Sequence, residues 1–444
     1  MRPYLRAANV TWKGIRLEDV KEMNFADNDF ETYRLEPGDI LLNEASGSPN
    51  EVGKPAIWRG EIEGACFQNT LLRLRASAVD VGYLYWYCFF AALTGRFGEA
   101  GRGVNIRHLG KQGLMRFPIA VAPRLQQQRI VAAIEEHFSR LDAAAGAACA
   151  AGLKAAASRR SILVEALSGR LSAQNQGDEP ASMLLDRIAA AGLRSKSLPS
   201  ADEPQTQGRE PVSLWELPRG WAWAQLQDLT ASERRSITDG PFGSNLKTAH
   251  YTTTGPRVIR LQNIGDGEFK REDAHISPEH FESLRAHSVQ SGDLIVASLG
   301  ESLPRACLVP HWVPPAIVKA DCIRVRLHSD VNRSYVNMAL QDPRLRRATA
   351  ADIKGVGRPR LGLRGIRQLT VPVPPRAEQD RIVEVIEAQF ARLGAISGAV
   401  SAVMSKIEAM RRTVLAQAFA GRLVSQSPSD EAASVMLERI GAGA

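Results

Sequence analysis

A stretch of 49 residues occurs twice in the chain, and this repeat limits the possible folds more than any other feature. The first copy runs from Pro123 to Leu171 and the second from Pro375 to Leu423, at a constant offset of 252 residues. The two copies are identical at 24 of the 49 aligned positions. Chance does not produce such a match, so the sequence predicts an internal duplication.

Both copies carry the signals of a long helix. Each begins after a proline, which favours the first turn of a helix, and each ends at a glycine, Gly169 or Gly421. From Ile396 onwards the apolar residues of the second copy alternate in steps of four and three, as in a heptad repeat. The apolar stripe of the second copy comprises Ile382, Ile386, Phe390, Leu393, Ile396, Val400, Val403, Ile407, Met410 and Val414.

The stripe of the first copy is apolar at its start and then consists of small residues, namely Ile130, Ile134, Phe138, Leu141, Ala144, Ala148, Ala151 and Ala155. Small residues of one copy can face large residues of the other. We therefore predict that the two helices pair antiparallel, because equivalent repeats would then be related by a two-fold axis. At about 1.5 Å per residue each helix would be roughly 70 Å long. Two separate core helices are the alternative, and Gly146 and Gly398 permit a kink at equivalent points.

The second copy opens with a motif that is specific enough to compare with known families. It begins Pro374-Pro375-Arg376-Ala377-Glu378-Gln379-Asp380-Arg381-Ile382-Val383 and ends Gly421-Arg422-Leu423. This motif, followed by a long helix, resembles the conserved region of Type I restriction–modification specificity subunits. The resemblance covers nearly the whole chain. The first copy departs from it, with Gln126-Gln127 where the second copy has Glu378-Gln379.

The resemblance implies an architecture, because that family alternates two target-recognition domains with two conserved helical regions. We expect two duplicated α/β (α+β) recognition domains separated by a long antiparallel two-helix coiled coil. The expected divisions are a first recognition domain at 1–122, a first helical region with a linker at 123–205, a second recognition domain at 206–374 and a second helical region at 375–444. The helical contact is expected at Ile130, Ile134, Phe138, Leu141, Ile382, Ile386, Phe390, Leu393, Val400 and Ile407.

The resemblance also implies a function and partners. Such a chain reads the two halves of a bipartite, asymmetric site in double-stranded DNA through the major groove, and its helices act as a ruler of about 20 base pairs at ~3.4 Å each. Two methyltransferase subunits would dock on the helical regions, bring S-adenosylmethionine and flip the target adenine. Restriction subunits would bring ATP and Mg. The chain itself is expected to bind no cofactor and no metal.

Composition and charge agree with this expectation. The net charge of +8 permits nucleic-acid binding, and the excess lies in residues 206–374, with 23 basic and 17 acidic residues, rather than in 1–122, with 15 and 14. Five cysteines without a CxxC pair predict buried thiols in the reducing cytoplasm. The apolar run Tyr83 to Leu93 is too short to span a bilayer, so no membrane contact is expected.

The first recognition domain has mixed strand and helix signals. We predict a buried strand after the turn at Gly38, a second strand from Cys66 to Leu74 and a helix from Tyr83 to Leu93. The glycine-rich loop Gly98 to His108 carries side chains of the types that read base edges, and a solvated turn is the alternative. The DNA-binding residues predicted here are Arg6, Asn9, Arg102, Asn105, Arg107 and His108.

The second recognition domain carries the stronger signal, because Asp239–Lys247 and Pro256–Ile264 are similar to a motif of many recognition domains in that family. A glycine-rich turn lets backbone amides approach a phosphate, and Lys247 adds charge. For Pro256–Ile264 the alternative is that its polar side chains, Arg260, Gln262 and Asn263, are the polar end of a buried strand. The DNA-binding residues predicted here are Phe242, Ser244, Asn245, Lys247, Arg260, Gln262 and Asn263.

A strongly basic run closes the second recognition domain. Gln341 to Gln368 carries eight Lys or Arg residues against two Asp, including Arg344, Arg346 and Arg347. A run with so one-sided a charge predicts a phosphate-contacting loop. The DNA-binding residues predicted in it are Lys354, Arg358 and Arg360.

The two recognition domains themselves align at an offset of 254 residues. Tyr4–Val10 then matches Val258–Ile264, which predicts that the domains are also homologous. In this alignment Met1 falls opposite Gly255. We therefore expect the first domain to lack a counterpart of Leu217–Thr254.

Short helices are predicted at Ser182–Ala190 and Ser434–Ile440, and a linker at Ser195–Val212. Catalytic signatures are missing from the sequence: it contains no GxxxxGK[ST], no Asn/Asp-Pro-Pro-aromatic motif and no HExxH. The chain is therefore expected to be a non-catalytic subunit. Two alternatives stay open, the recognition subunit of another modification system (Type IIB-like) and a coiled-coil interaction scaffold without a DNA role.

Overall fold

The computed structural model describes residues 1–46, 51–100, 107–195, 214–355 and 357–442. The chain divides into two compact units, one formed by Met1–Ala151 with Ala399–Ala444 and the other by Gly152–Gly398. Two long helices, α5 (Arg124–Ala166) and α11 (Arg376–Phe419), contribute residues to both units.

The first unit mixes short strands with helices. Its strands are β1 Arg2–Leu5, β2 Val10–Thr11, β3 Gly14–Ile15, β4 Lys21–Met23, β5 Ile40–Asn43, β6 Ala45–Ser46, β7 Pro55–Ile57, β8 Cys66–Phe67, β9 Leu71–Leu74 and β10 Arg107–His108. Its other helices are α1 Asp27–Tyr33, α2 Val81–Leu93, α3 Arg96–Ala100, α4 Gly110–Met115 and α12 Ala433–Ala442. The two larger sheets have the orders β4-β1-β8 and β7-β5-β9.

The local sequence explains the central elements of the first unit. β5 consists of three apolar residues and Asn43, all four of them buried, and it is the buried strand that was predicted. The carboxylate of Asp80 accepts a hydrogen bond from the backbone N–H of Tyr83 and caps α2 where the helix was predicted. The single strand predicted from Cys66 to Leu74 is wrong: a turn at Gln68, whose carbonyl accepts from Leu71 N, divides it into β8 and β9.

Among the described residues the second unit has as many strands as the first, but its two main sheets are larger, with four strands each. Its strands are β11 Ala222–Gln225, β12 Ile237–Thr238, β13 Tyr251–Ile259, β14 His275–Ile276, β15 Ser288–Val289, β16 Leu294–Ala297, β17 Arg305–Leu308, β18 Ala316–Val318, β19 Cys322–Val325 and β20 Thr370–Val373. Its other helices are α6 Ala181–Ser195, α7 Pro278–Ser283, α8 Arg333–Ala339, α9 Pro343–Thr349 and α10 Leu363–Arg367. The predicted helices at 182–190 and 434–440 therefore correspond to α6 and α12.

The sheets of the two units share a pattern of pairing. β13 pairs antiparallel with β14 and parallel with β18, as β1 does with β4 and β8. β16 lies between antiparallel neighbours β17 and β19, as β5 lies between β7 and β9. In the second unit β12 adds a fourth strand beside β19, and β11 pairs with β20. Each unit is therefore a mixed α/β structure, as the sequence predicted.

The two long helices end as their sequences predict. Gly169 and Gly421 adopt φ values of 68° and 71°, which favour glycine. The N–H of Gly169 donates to the carbonyl of Ala166, and the N–H of Gly421 donates to that of Ala418. The next residue in each copy donates to a carbonyl five positions earlier, which completes a Schellman ending of the helix.

In the first unit the start of α5 packs on the end of α11. Ile130, Ile134 and Phe138 are buried in one cluster with Val414 and Leu415. Further along, Asp142 forms an ion pair with Arg411. Sequence numbers rise on one helix as they fall on the other, so these segments run antiparallel.

In the second unit the end of α5 packs on the start of α11. Ile382 and Ile386 are fully buried in a cluster that includes Leu163. The guanidinium of Arg159 lies 3.6 Å from the ring centroid of Phe390. These segments also run antiparallel. In the first unit, Leu141 and Ile407 are buried as well, as predicted.

The predicted heptad stripe is wrong in the middle of α11. Ile396, Val403 and Met410 are 42%, 42% and 45% exposed, whereas Ile407, on the other heptad position, is buried. In the first unit the Asp142–Arg411 pairing places the alanine-rich segment 143–151 alongside residues 402–410. Alanine side chains offer too few apolar atoms to cover Val403 and Met410. Phe390, Leu393 and Val400 are only partly buried.

Polar contacts at the start of each long helix recur at the offset of the repeat. The side chain of Gln127 donates to a backbone carbonyl at the start of α5 and accepts from the N–H of Asp80. Gln379 makes the same pair of contacts at the start of α11, where it accepts from the N–H of Asn332. Asn332 caps α8 as Asp80 caps α2. Both glutamines are fully buried, so each fixes a domain helix to a long helix.

Candidate nucleic-acid interface

A glycine-rich loop of the second unit, residues 239–247, follows β12. A Cβ atom at Gly240 would lie 2.2 Å from the carbonyl carbon of Lys319 and 2.3 Å from the carbonyl oxygen of Val318. Only glycine permits such an approach of two backbones, so the base of the loop is held against the end of β18.

Histidine side chains hold the rest of this loop. The Nδ1 atom of His250 accepts from the backbone N–H of Lys247 at 3.1 Å. The Nε2 atom of His280 lies 2.9 Å from the carbonyl of Asn245, and the Nδ1 atom of His287 lies 2.6 Å from that of Asp239. These contacts fix the backbone and leave four predicted side chains exposed, namely Phe242, Ser244, Asn245 and Lys247.

A second loop of the same unit is a hairpin whose described residues are 354, 355 and 357–360. Lys354 and Arg360 exchange backbone hydrogen bonds of 3.0 and 2.8 Å. The side chains of Lys354, Arg358 and Arg360 are exposed, and the guanidinium of Arg360 lies 2.6 Å from the carboxylate of Asp321. The predicted basic loop is thus a hairpin that presents three cations.

The two loops meet at the turn formed by residues 319–321. Gly240 contacts the backbone at Lys319, and Arg360 contacts Asp321. Asp321 adopts a φ of 68°, and strained backbone of this kind is common at functional sites. We call the exposed face of residues 239–247, 319–321, 354, 355 and 357–360 the two-loop surface.

The two-loop surface includes residues that the sequence did not reveal. Lys319 lies 5.7 Å from the ring centroid of Tyr251 and contributes a further cation beside the glycine-rich loop. Asp321 orients Arg360 through their ion pair. Both residues follow an ordinary buried strand, so their role depends on tertiary contacts that no local motif records.

The prediction that Asn9 and Asn263 contact DNA is wrong. Both side chains are 1% exposed. The amide of Asn263 accepts from Arg260 N and donates to the carbonyls of Lys270 and Glu272. Asn9 makes the corresponding contacts with Arg6 N and with two carbonyls of its own domain. These amides hold a backbone turn and have no free group for a base.

The neighbours of these asparagines are more accessible. Gln262 is exposed, whereas Arg260 is partly buried and its guanidinium lies 3.4 Å from the carbonyl of Asp273. Arg6 forms an ion pair with Asp19. DNA contact by these three residues stays a prediction.

The glycine-rich segment of the first unit is described only in part. Arg102 and Asn105 lie outside the described residues. The backbone of Arg107 belongs to β10, which pairs with β6, and His108 in the same strand is exposed. These residues stay predictions of a DNA contact.

Part of the predicted basic run has a structural role. Arg344 stacks at 3.8 Å on the ring of Trp215 and forms an ion pair of 2.7 Å with Asp342. Arg346 forms an ion pair with Asp266. These side chains stabilise the surroundings of α9, so the cations of the run that face solvent at the two-loop surface are those of the hairpin.

The cysteines follow the prediction at four positions and depart from it at one. Cys66, Cys88, Cys307 and Cys322 are buried, whereas Cys149 on α5 is exposed. Burial raises the pKa of Cys88 to about 12, which disfavours the reactive thiolate. Among the described residues no group of His, Cys, Asp or Glu side chains is arranged to hold a metal ion.

By length and composition α11 is the one described helix that could cross a membrane. Its two ends nevertheless pack in the apolar clusters of Ile386 and Val414. Apolar composition is also typical of a helix that contacts other protein segments.

The fold and the two-loop surface define a class of protein: a chain of two α/β units, each packed on segments of the same two long helices, with basic loops exposed on one of them. The chain is a homologue of the specificity subunits of Type I restriction enzymes. No family model matches the sequence.

Individual relatives differ in how much of the chain they match. The specificity subunit of the Type I restriction enzyme EcoBI from Escherichia coli is 21% identical over 446 residues, covering 96% of this chain and 85% of the relative. That of EcoEI, also from Escherichia coli, is 24% identical over 332 residues, covering 64% of this chain. The matched part spans about half (54%) of the length of the EcoEI subunit.

A solved structure shares the fold. A chain from a structure described as the basis of complex assembly and conformational transition of the type I R-M system matches with a TM-score of 0.61. The match covers 95% of this chain and 92% of that chain at 14% identity.

Proposed function

We propose that this chain is the DNA sequence-recognition subunit of a Type I restriction–modification system. The observation that carries the proposal is the two-loop surface, found in a homologue of specificity subunits. A braced glycine-rich loop and a cationic hairpin flank one turn, so backbone amides, Lys247 and Arg358 are available to the phosphates of one DNA segment. Exposed Ser244 and Asn245 supply hydrogen-bonding groups for base edges.

The second half of the proposal concerns the arrangement of the DNA site. We take each unit to read one half of a bipartite, asymmetric sequence, with the two long helices setting the distance between the halves. Helices of 43 and 44 residues are each about 65 Å long at ~1.5 Å per residue. That length corresponds to roughly 19 base pairs at ~3.4 Å each. The polar contacts that recur around Gln127 and Gln379 support equivalent roles for the two units.

The chain is proposed to act without catalysing a reaction itself. Methyltransferase and restriction subunits would join it and carry S-adenosylmethionine, ATP and Mg. The exposed apolar residues of α11, including Ile396 and Val403, support a contact with protein partners. A purified chain should therefore neither bind S-adenosylmethionine nor methylate DNA.

A selection experiment tests the proposal directly. The purified full chain is incubated with a pool of 40-base-pair duplexes of random sequence, and bound duplexes are amplified and sequenced. We expect one sequence motif to be enriched, with an affinity that falls steeply as salt rises. Enrichment of no motif, or equal affinity for all duplexes at every salt concentration, would exclude sequence recognition and favour a scaffold without a DNA role.

A further inference from the structure

Phe242 occupies an unusual position for an aromatic side chain. Among the described residues of 214–374 it is the one large apolar side chain that is classed as exposed, with 49% of its surface accessible to solvent. A phenyl ring in water loses the free energy that burial would provide. The exposed ring on the two-loop surface is therefore available for an apolar contact with a ligand.

The backbone that carries Phe242 is fixed on both sides. Pro241 is buried before it, and Leu246, with 6% of its surface exposed, is buried after it. Gly240 touches the backbone of β18, and His280 contacts the carbonyl of Asn245. Because the backbone of this loop is fixed, the Phe242 side chain can displace part of a ligand while the loop keeps its own conformation.

The tip of the loop is also narrow. Gly243 follows the ring with a φ of 58°, and no atom lies within 4 Å of the place where its Cβ would stand. The next residue, Ser244, is small and exposed. The ring therefore projects from a segment with little side-chain bulk, so steric hindrance would be small if it entered a narrow gap in a ligand.

The charge around the ring indicates what kind of ligand it meets. Lys247 is exposed on the same loop, and Lys319 lies beside the base of the loop. Cations attract the phosphates of DNA, but an apolar ring gains nothing from a phosphate. Duplex DNA offers apolar surface at thymine methyl groups and between its stacked bases, and proteins that bend DNA insert apolar side chains such as Phe between the bases.

We infer that Phe242 is an apolar wedge that enters the base stack of bound DNA and unstacks one base step. This inference rests on the proposed DNA-binding function and adds a mechanism to it. Sequence preference would then arise partly from the deformability of the step, since pyrimidine–purine steps unstack at the lowest cost. A contact of the ring with a thymine methyl group is the competing arrangement, and it would not require a braced loop.

The test uses the full chain and the duplex that it selects from the random pool. 2-Aminopurine replaces each adenine of both strands of that duplex in turn, because it keeps the pair with thymine and its fluorescence rises when it is unstacked. We expect the wild type to raise fluorescence at one step and Phe242→Ala to abolish that rise. The slope of log affinity against log salt concentration should be the same for Phe242→Ala and the wild type, because the ring neutralises no phosphate.

A second duplex separates the wedge from a simple contact. A single mismatch at the bright step removes most of the cost of unstacking, so the wild type should bind it at least 10-fold more tightly than the paired duplex. Phe242→Ala should gain no such preference. Met183→Ala, which removes another exposed apolar side chain of the same unit, is the matched control and should behave as wild type.

The outcomes distinguish the inference from the proposed function. If no position brightens, or if Phe242→Ala brightens as the wild type does, the wedge is wrong while sequence recognition stands. If replacing one thymine by deoxyuracil weakens wild-type binding as much as Phe242→Ala does, the ring contacts a methyl group and the wedge is wrong. If the wild type selects no duplex, both the proposed function and the wedge fail.

Discussion

Glu378 is a buried carboxyl group in the first turn of α11, with 2% of its surface exposed. Its two oxygen atoms each accept a hydrogen bond of 2.9 Å, one from Ser172 Oγ and one from Trp221 Nε1. Burial raises the pKa of Glu378 above its ordinary value of 4.5, although these two hydrogen bonds oppose the shift. The aligned residue of the first copy is Gln126, a neutral side chain of the same shape.

Glu378→Gln should remove a pH-dependent part of the stability. Because the folded-state pKa is raised, the contribution of Glu378 is complete below pH 4.5 and is lost as the pH rises through the raised value. Glutamine can keep both contacts, since the Ser172 hydroxyl can accept instead of donate. Melting temperatures measured from pH 4 to pH 8 should therefore show the variant gaining on the wild type as pH rises. A constant difference across that range would contradict this.

Arg358 and Arg360 differ in how freely they can bind a phosphate. Arg360 forms an ion pair with Asp321, whereas among the described residues no acidic side chain lies within 4 Å of the exposed Arg358. Arg358→Ala should flatten the slope of log affinity against log salt by about 1, the loss of one phosphate contact. Arg360→Ala should flatten it by less, because its charge is already partly neutralised.

Affinity measurements on the selected duplex between 50 and 300 mM salt, roughly the range in which phosphate contacts dominate, check this order. Arg392→Ala, a basic residue exposed on α11, is the matched control and should leave the slope unaltered. Equal slopes for Arg358→Ala and the control would remove the hairpin from the interface.

Single residues show where sequence reasoning about the site stops. Phe242, Lys247 and Arg358 lie in glycine-rich, charged segments that the sequence marked as candidate DNA contacts, and all three are exposed, while their contact with DNA stays a prediction. Asn263 has the residue type of a base-reading side chain, yet its amide closes a turn of its own backbone. Residue type alone does not distinguish these uses, because the answer depends on which carbonyls the fold brings near.

At the scale of the element, the glycines that end the two long helices can be compared by the same substitution. Gly169 and Gly421 have nearly the same positive φ, but a Cβ at Gly169 would lie 2.2 Å from Pro218 Cγ. At Gly421 the nearest such atom is the Nε2 of Gln426, at 3.5 Å. Gly421→Ala should cost about 1–2 kcal/mol from backbone strain alone, and Gly169→Ala should cost more. Urea denaturation checks the order, and equal losses would show that the proline moves freely.

Substitutions along the apolar stripe of α11 should lower the free energy of unfolding in proportion to the burial of the side chain that is removed. Ile386→Ala should lower the free energy of unfolding by about 2–5 kcal/mol, because Ile386 is fully buried. Phe390→Ala should cost less than removal of a core phenylalanine, because Phe390 is only partly buried under Arg159.

Ile396→Ala is the matched control for this series, since Ile396 lies on the same helix and is 42% exposed. Its effect should stay within about 0.5 kcal/mol, as for other surface substitutions. A loss at Ile396 as large as that at Ile386 would mean that the middle of the helix is covered in solution.

Elements were predictable where the signal is local. The proline and glycine limits of α5 and α11 and the apolar β5 needed only neighbouring residues. The heptad stripe failed at Val403 because periodicity marks a face of the helix but does not show what lies opposite. The division of Cys66–Leu74 into two strands was missed because Asn69 and Thr70 give only a weak turn signal without glycine or proline beside them.

For the whole molecule, the repeat was the most informative feature of the sequence. It predicted two long helices and two mixed domains, and the contacts of Gln127 and Gln379 recur at its offset. The alignment of the two domains at an offset of 254 residues also predicted a difference between them, because β11 and β12 of the second unit lie in Leu217–Thr254, for which the first domain was expected to have no counterpart. That each unit reads one half of the DNA site is the proposal that experiment has to test.

The most direct test is to map DNA methylation in the source cells by long-read sequencing, with the gene for this chain intact, deleted and restored. We predict that one bipartite, asymmetric adenine motif is methylated in the intact strain, unmethylated in the deletion strain and methylated again after restoration. A deletion strain in which every methylated motif of the intact strain stays methylated would contradict the assignment of this chain as a sequence-recognition subunit.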